Sequence, residues 1–228
     1  CGWFDRADPD GKLWSGVKTV DAVVARLQAA GAALEDPAAA VSGWQLDPIY
    51  MDNTTLTRAD LDRVSTTRAV GVLHASGHIM NVNTKALELA GMLKTGHNHP
   101  GIPLGADGLP TGELKGPEVM TPVGPFVGFE RNLLDADEAG LRNFAKLCVR
   151  TGTTTITDLA SRMDEGTVDM MLRVTNEPQY PIRLMPFRFF LGLSAPELVE
   201  TVVAMKKFST DRLRLGQIKI VVDGSIQG

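Results

Sequence analysis

The chain has 228 residues, 43% hydrophobic and 22% charged, with a formal net charge of −4. That is ordinary composition for one large or two small globular domains, and it leaves no electrostatic footprint for nucleic acid or an anionic membrane. No apolar run approaches the roughly 18–20 residues of a membrane span, and no signal peptide stands at the start, so the cytoplasm is the default compartment.

In chain order, "VKTVDAVVARLQAAGAALED" (17–36) predicts a helix, with Val20, Val23, Val24 and Leu27 on one stripe. "AAVSGWQLD" (39–47) runs into a short strand. "TRADLDRVSTTR" (57–68) predicts a short helix capped by Thr57, with Asp60 three residues on. "AVGVLHASGHIMNVN" (69–83) reads as two strands broken at Gly77, and "TKALELAGML" (84–93) as a helix stopped near Gly91. Residues 94–112 are turn chemistry throughout.

The rhythm changes after about residue 135. A helix with Leu141, Phe144, Ala145 and Cys148 on one face precedes a β-branched strand at 153–161. A helix at 165–176, a strand at 180–190, a helix at 195–208 opened by Ser194 and Glu197, and a last strand in "GQIKIVVDGSIQG" (216–228) follow. This αβαβαβ alternation predicts a parallel sheet covered by helices, either doubly wound or a (β/α)8 barrel. The expected division is an α+β subdomain over 1–130 and a β/α segment over 131–228. Three strands cannot close a barrel that needs about 250 residues, so the chain reads as a piece of something larger.

Candidate working groups follow from strand ends, where α/β barrels carry their chemistry. The three strands end at Thr157-Asp158, at Arg188 and at Asp223-Gly224-Ser225. Asp158 and Asp223 either face one mouth or serve as a helix cap or turn residue. Lys219 lies inside an apolar run, where an unpaired ammonium is costly. It requires a carboxylate partner, a covalent use or a metal-site role. His78 follows Gly77, which lets the backbone turn and present it; a structural histidine is the plainer alternative. His97 and His99 look like a ligand pair but sit in a Gly/Pro loop without a third ligand nearby. Cys1 and Cys148 fit no zinc or disulfide pattern.

Several stretches resemble the amidohydrolase superfamily, in its amidohydrolase family 3 branch of predicted metal-dependent hydrolases and N-substituted formamide deformylases. They are "VSGWQLDPIY", "TRADLDRVSTTRAVGVLHASGHIMNVNTKALELAG", "DGLPTGELKG", "GTTTITDLA" and "IKIVVDGSIQG", in that order. The resemblance implies a partial TIM-like barrel, about strands two to four, preceded by the subdomain inserted after a first strand that is missing here. It implies hydrolysis of an amide-type C–N bond in a small-molecule substrate by a metal-activated water, with a divalent metal, zinc, in the complete enzyme. By that carry-over Lys219 is the fourth-strand lysine, carboxylated so that it offers oxygen to the metal. Asp223 and His78 become the catalytic candidates, the first near the substrate and the second on a segment over the mouth. The His-x-His strand and the later histidine and aspartate strands of the family are not in the sequence, so this segment alone is expected to be inactive. The contrasting reading is a stand-alone, non-catalytic domain binding a small molecule or partner. An open strand edge implies a homo-oligomer in either case.

Overall fold

A computed structural model describes residue 3 and residues 5–51, 54–129, 137–190 and 192–222. The chain divides into two compact units, one built on Leu13–Glu130 and the other on Arg131–Asp223.

The first unit follows a short ladder of β1 (Arg6–Ala7) and β2 (Leu13–Trp14). Helix α1 (Val20–Ala32) starts at Thr19, whose hydroxyl accepts from the Ala22 amide. Its Val23, Val24 and Leu27 are buried, the stripe that the apolar spacing predicts. Strand β3 (Val41–Leu46), a 3-10 turn (Pro48–Met51) and helix α2 (Arg58–Asp62) lead to β4 (Val70–His74). α2 carries the capping box expected of Thr57 and Asp60: each side chain accepts from the other's backbone amide. Then come β5 (Ile79–Val82), α3 (Thr84–Leu89), β6 (Glu113–Lys115), α4 (Pro117–Met120) and a 3-10 turn (Gly124–Val127).

These strands make one sheet in the order β3-β4-β5-β6. β3 and β4 run parallel, and the other pairs antiparallel. Trp3, Val23, Leu27, Leu46, Leu61, Val70 and Val72 belong to its core. Two glycines permit close approach there. A Cβ on Gly43 would lie 2.5 Å from the Trp3 ring, and one on Gly71 2.6 Å from the Val127 Cβ; both distances are inside van der Waals contact.

The second unit is α5 (Glu138–Arg150), β7 (Thr155–Ser161), α6 (Glu165–Thr175), β8 (Arg183–Phe189), α7 (Ala195–Lys206) and β9 (Gln217–Lys219). Each helix starts on a side-chain cap: Asp137, Asp164, and the Ser194–Glu197 box, of which only the last is expected above. The strands form an all-parallel sheet in the order β7-β8-β9, so the connections must be crossovers, and α6 and α7 supply them. Leu141, Ala145 and Cys148 of α5, Val168, Met171 and Val174 of α6, and Leu184 of β8 build the core. The molecule is thus mixed α/β.

The last strand is shorter than its apolar run suggests. Pairing with β8 ends at the Phe189–Lys219 register position. Beyond it Ile220 is 61% and Val222 94% exposed. Nothing among the described residues continues the ladder, and these β-branched residues have no partner to make them strand.

Candidate functional site

In the second unit, alternation along the strands sorts the side chains onto two faces. Ile156, Leu184 and Pro186 face the core. Their neighbours face away: Thr155 pairs with Arg183, Thr157 with Met185, Phe187 with Gln217, and Phe189 with Lys219. Lys219 therefore stands at the C-terminal end of the third parallel strand, on the face away from the core. It is half-buried rather than enclosed, which corrects the expectation of a lysine within a buried strand. It makes no ion pair or side-chain hydrogen bond among the described residues. Two residues earlier on the same face, the Gln217 Oε1 is buried and has no hydrogen-bond partner among the described residues.

Asp158 lies on the opposite parity, with Ile156, just before a bulge that ends at Ser161. Its Oδ1 accepts from the Ala160 amide at 3.0 Å, the Asx-type turn foreseen as the plainer alternative. The cap of the following helix is Asp164 instead. A helix-terminal amide and nearby Arg162 and Arg188 hold the Asp164 carboxyl below the usual range, the amide contributing most. Asp223 lies outside the described residues.

The histidines belong to the first unit. His78 sits in the β4–β5 turn after Gly77, whose φ is +73°. Its amide donates to Ser76 Oγ and its carbonyl accepts from Gly116. The half-exposed ring has no hydrogen-bond partner among the described residues.

His74, at the end of β4, is 5% exposed, and its Nε2 is 2.6 Å from Asn81 Oδ1. The Asn81 amide nitrogen donates to the Leu56 carbonyl at 2.8 Å. A carbonyl can only accept, so Asn81 turns its oxygen to the ring and His74 must donate from Nε2. Burial depresses the His74 pKa, against the opposing pull of the Asn81 bond and of Glu113 and Asp47. A neutral ring with a lone pair on Nδ1 results. His97 donates to the Met92 carbonyl, and His99 Nδ1 accepts from Gly101. The His-Asn-His loop thus spends its rings on local bonds.

Among the described residues no group of three or more His, Cys, Asp or Glu side chains could hold a metal ion. A catalytic zinc takes three protein ligands. Lys219, even as a carbamate, supplies one. The described residues do not by themselves make a metal centre.

Sequence reasoning passed over Asn81, Asn83 and Gln217. Asn83 was legible as an N-cap before "TKALEL". The other two owe their roles to cross-strand neighbours that spacing cannot reveal.

The family model described as "Amidohydrolase family" matches residues 7–228. Among solved structures, the chain is similar to an uncharacterized metal-dependent hydrolase from Pyrococcus horikoshii OT3, at 15% identity and a TM-score of 0.49. It is also similar to one from Pyrococcus furiosus, at 16% identity and a TM-score of 0.47. Each alignment covers 92% of this chain but only 38% and 40% of those chains, respectively. No curated protein matches.

Proposed function

The chain belongs to the amidohydrolase family, and we propose that it is part of a metal-dependent hydrolase that cleaves an amide-type C–N bond in a small molecule. The observation that carries the reading is Lys219. It is a lysine at the C-terminal end of a parallel strand, on the face away from the core, beside a buried Gln217 oxygen, and neither has a side-chain partner among the described residues. In a β/α barrel that face is the interior and that end is the working mouth. The β7-α6-β8-α7-β9 order with parallel strands supports a partial barrel, and Leu13–Glu130 an inserted subdomain.

In this reading Lys219 reacts with carbon dioxide to become a carbamate. That replaces a cation by oxygen donors of the kind a divalent metal such as zinc accepts. Asp223 and His78 are the catalytic candidates of the same reading. Because the described residues supply at most one ligand, no step through the metal is derived for this chain. These 228 residues alone are expected to show no metal-dependent turnover.

The test is hydrolysis. The product of the complete reading frame containing these residues is assayed on N-formyl and N-acyl amines before chelation, after chelation and after metal is restored. Turnover that disappears and returns supports the reading. Turnover indifferent to chelation, or none on any C–N substrate with metal loaded, contradicts it.

A further inference from the structure

A second site lies at the other end of the same sheet. A groove of about 360 Å³ opens where β8 begins and where the loop from α7 enters β9. Arg183, Lys206, Arg212 and Arg214 line it, together with the hydroxyls of Ser209 and Thr210. Asp211 is the one carboxylate in the lining. Four cations against one anion leave an excess of three positive charges.

The backbone gathers these cations. Leu184 donates to the Arg212 carbonyl at 2.8 Å, and Arg214 donates to the Leu184 carbonyl at 2.9 Å. That stitches residues 212–214 alongside β8. Leu213 and Leu215 are 0% and 1% exposed, so alternation sends Arg212 and Arg214 away from the core. Gly216, at φ +104°, lets the Lys206 stem pack close: a Cβ there would meet the Lys206 Cβ at 3.2 Å.

The cations are not neutralised by the described residues. Arg183, Lys206 and Arg214 make no ion pair or side-chain hydrogen bond among the described residues. Arg212 spends its guanidinium on the Glu177 and Pro178 carbonyls, which are uncharged. The hydroxyl oxygens are already acceptors, Ser209 from the Leu215 amide and Thr210 from the Leu213 amide. Their O–H groups are left to donate.

We propose that this groove binds a phosphate-bearing small molecule. Unpaired like charges held in one concavity repel each other and draw counter-ions. An excess of three charges with arginine forks and hydroxyl donors suits a multiply charged oxyanion better than a monocarboxylate. The volume also falls in the range of small-ligand pockets, about 300–1,000 Å³. The site is independent of the hydrolytic reading, since it stands at the strand ends opposite Lys219.

Calorimetric titration of the purified chain tests it, with inorganic phosphate and phenyl phosphate as probes and ionic strength held constant with chloride. Saturable binding is expected, and Arg183→Gln with Arg214→Gln should raise Kd by at least about tenfold. Asp211→Asn, which removes the repelling carboxylate, should lower Kd by about two- to threefold. Both arginines are exposed, so circular dichroism should show an unchanged fold. Equal Kd for the two probes identifies the free ion as the ligand, and tighter binding of the ester identifies an organic phosphate. Heats no larger than those of matched chloride, or the same Kd in the double variant, would overturn the proposal.

Discussion

The Asn83 side chain makes four hydrogen bonds among the described residues, and its removal has a calculable cost. The residue is 0% exposed. Its Oδ1 accepts from the Val70 amide and from the Ala86 amide, both at 3.0 Å. Its Nδ2 donates to the carbonyls of Ser65 and Arg68 at 2.8 and 2.9 Å. One amide thus caps α3, starts β4 and pins the loop after α2. Asn83→Ala loses an N-cap, about 1 kcal/mol. It also strands the amide of Val70, itself 0% exposed, for about 1–3 kcal/mol more. The two carbonyls sit in partly buried surroundings and can turn to water, so they add little. The expected destabilisation is about 3 kcal/mol. Trp3, Trp14 and Trp44 are the chain's three tryptophans, and all fall in the first unit. Tryptophan fluorescence in a urea titration therefore reports that unit's transition. A midpoint drop equivalent to about 3 kcal/mol at unchanged slope is expected. A shift worth less than about 1 kcal/mol would refute the reasoning, since it would mean that the buried Val70 amide has another partner.

His74 makes the first unit acid-sensitive. Burial holds its folded-state pKa below the ordinary histidine value of about 6.5, so the unfolded chain binds the proton first. The stability it contributes is complete above pH ~6.5 and is lost as the pH falls from there through the lower folded value. Urea midpoints between pH 5 and 8 should show this slope, and His74→Gln should flatten it; an equal slope in the variant would exclude His74 as its source. Gly71→Ala should cost about 1–3 kcal/mol by overpacking against Val127. Combining it with Val127→Gly, which removes the Cβ that the new methyl would meet, should cost less than the sum of the two, and strict additivity in a double-mutant cycle would remove the clash as the cause. The outer edge of β9, followed by exposed Ile220 and Val222, has no partner strand among the described residues and should recruit a second copy. Light scattering should give a dimer or larger, and a monodisperse monomer would count against it.

Local chemistry was the part of the fold most open to reading. The Thr57–Asp60 and Ser194–Glu197 boxes, the α1 stripe and the break at Gly77 all depend on neighbours within a few residues, and each stands where spacing puts it. Strand β6 did not announce itself, because Glu-Leu-Lys carries one apolar residue and owes its state to pairing with β5. "IKIVV" suggested a longer strand than Gln217–Lys219, because run length says nothing of where the neighbouring strand stops. The candidate site was legible in Lys219, a residue type at odds with its apolar run. It was not legible in Asn81 or Gln217, whose partners, present or lacking, lie across the sheet. The rings of His97 and His99 show the converse: a suggestive spacing absorbed by local backbone bonds.

Lys219, in the function proposed, is a working group of a hydrolase and not a surface cation. Its most direct test is the metal-dependent hydrolysis of N-acyl amines by the complete gene product and by its Lys219→Ala variant, with and without added acetate or formate. The variant is expected to lose at least about a hundredfold in rate, the scale of removing one group that acts in the transition state. A small carboxylate, filling the space of the lost carbamate, should restore part of that rate. Wild-type turnover in the variant would contradict the account and return Lys219 to the surface.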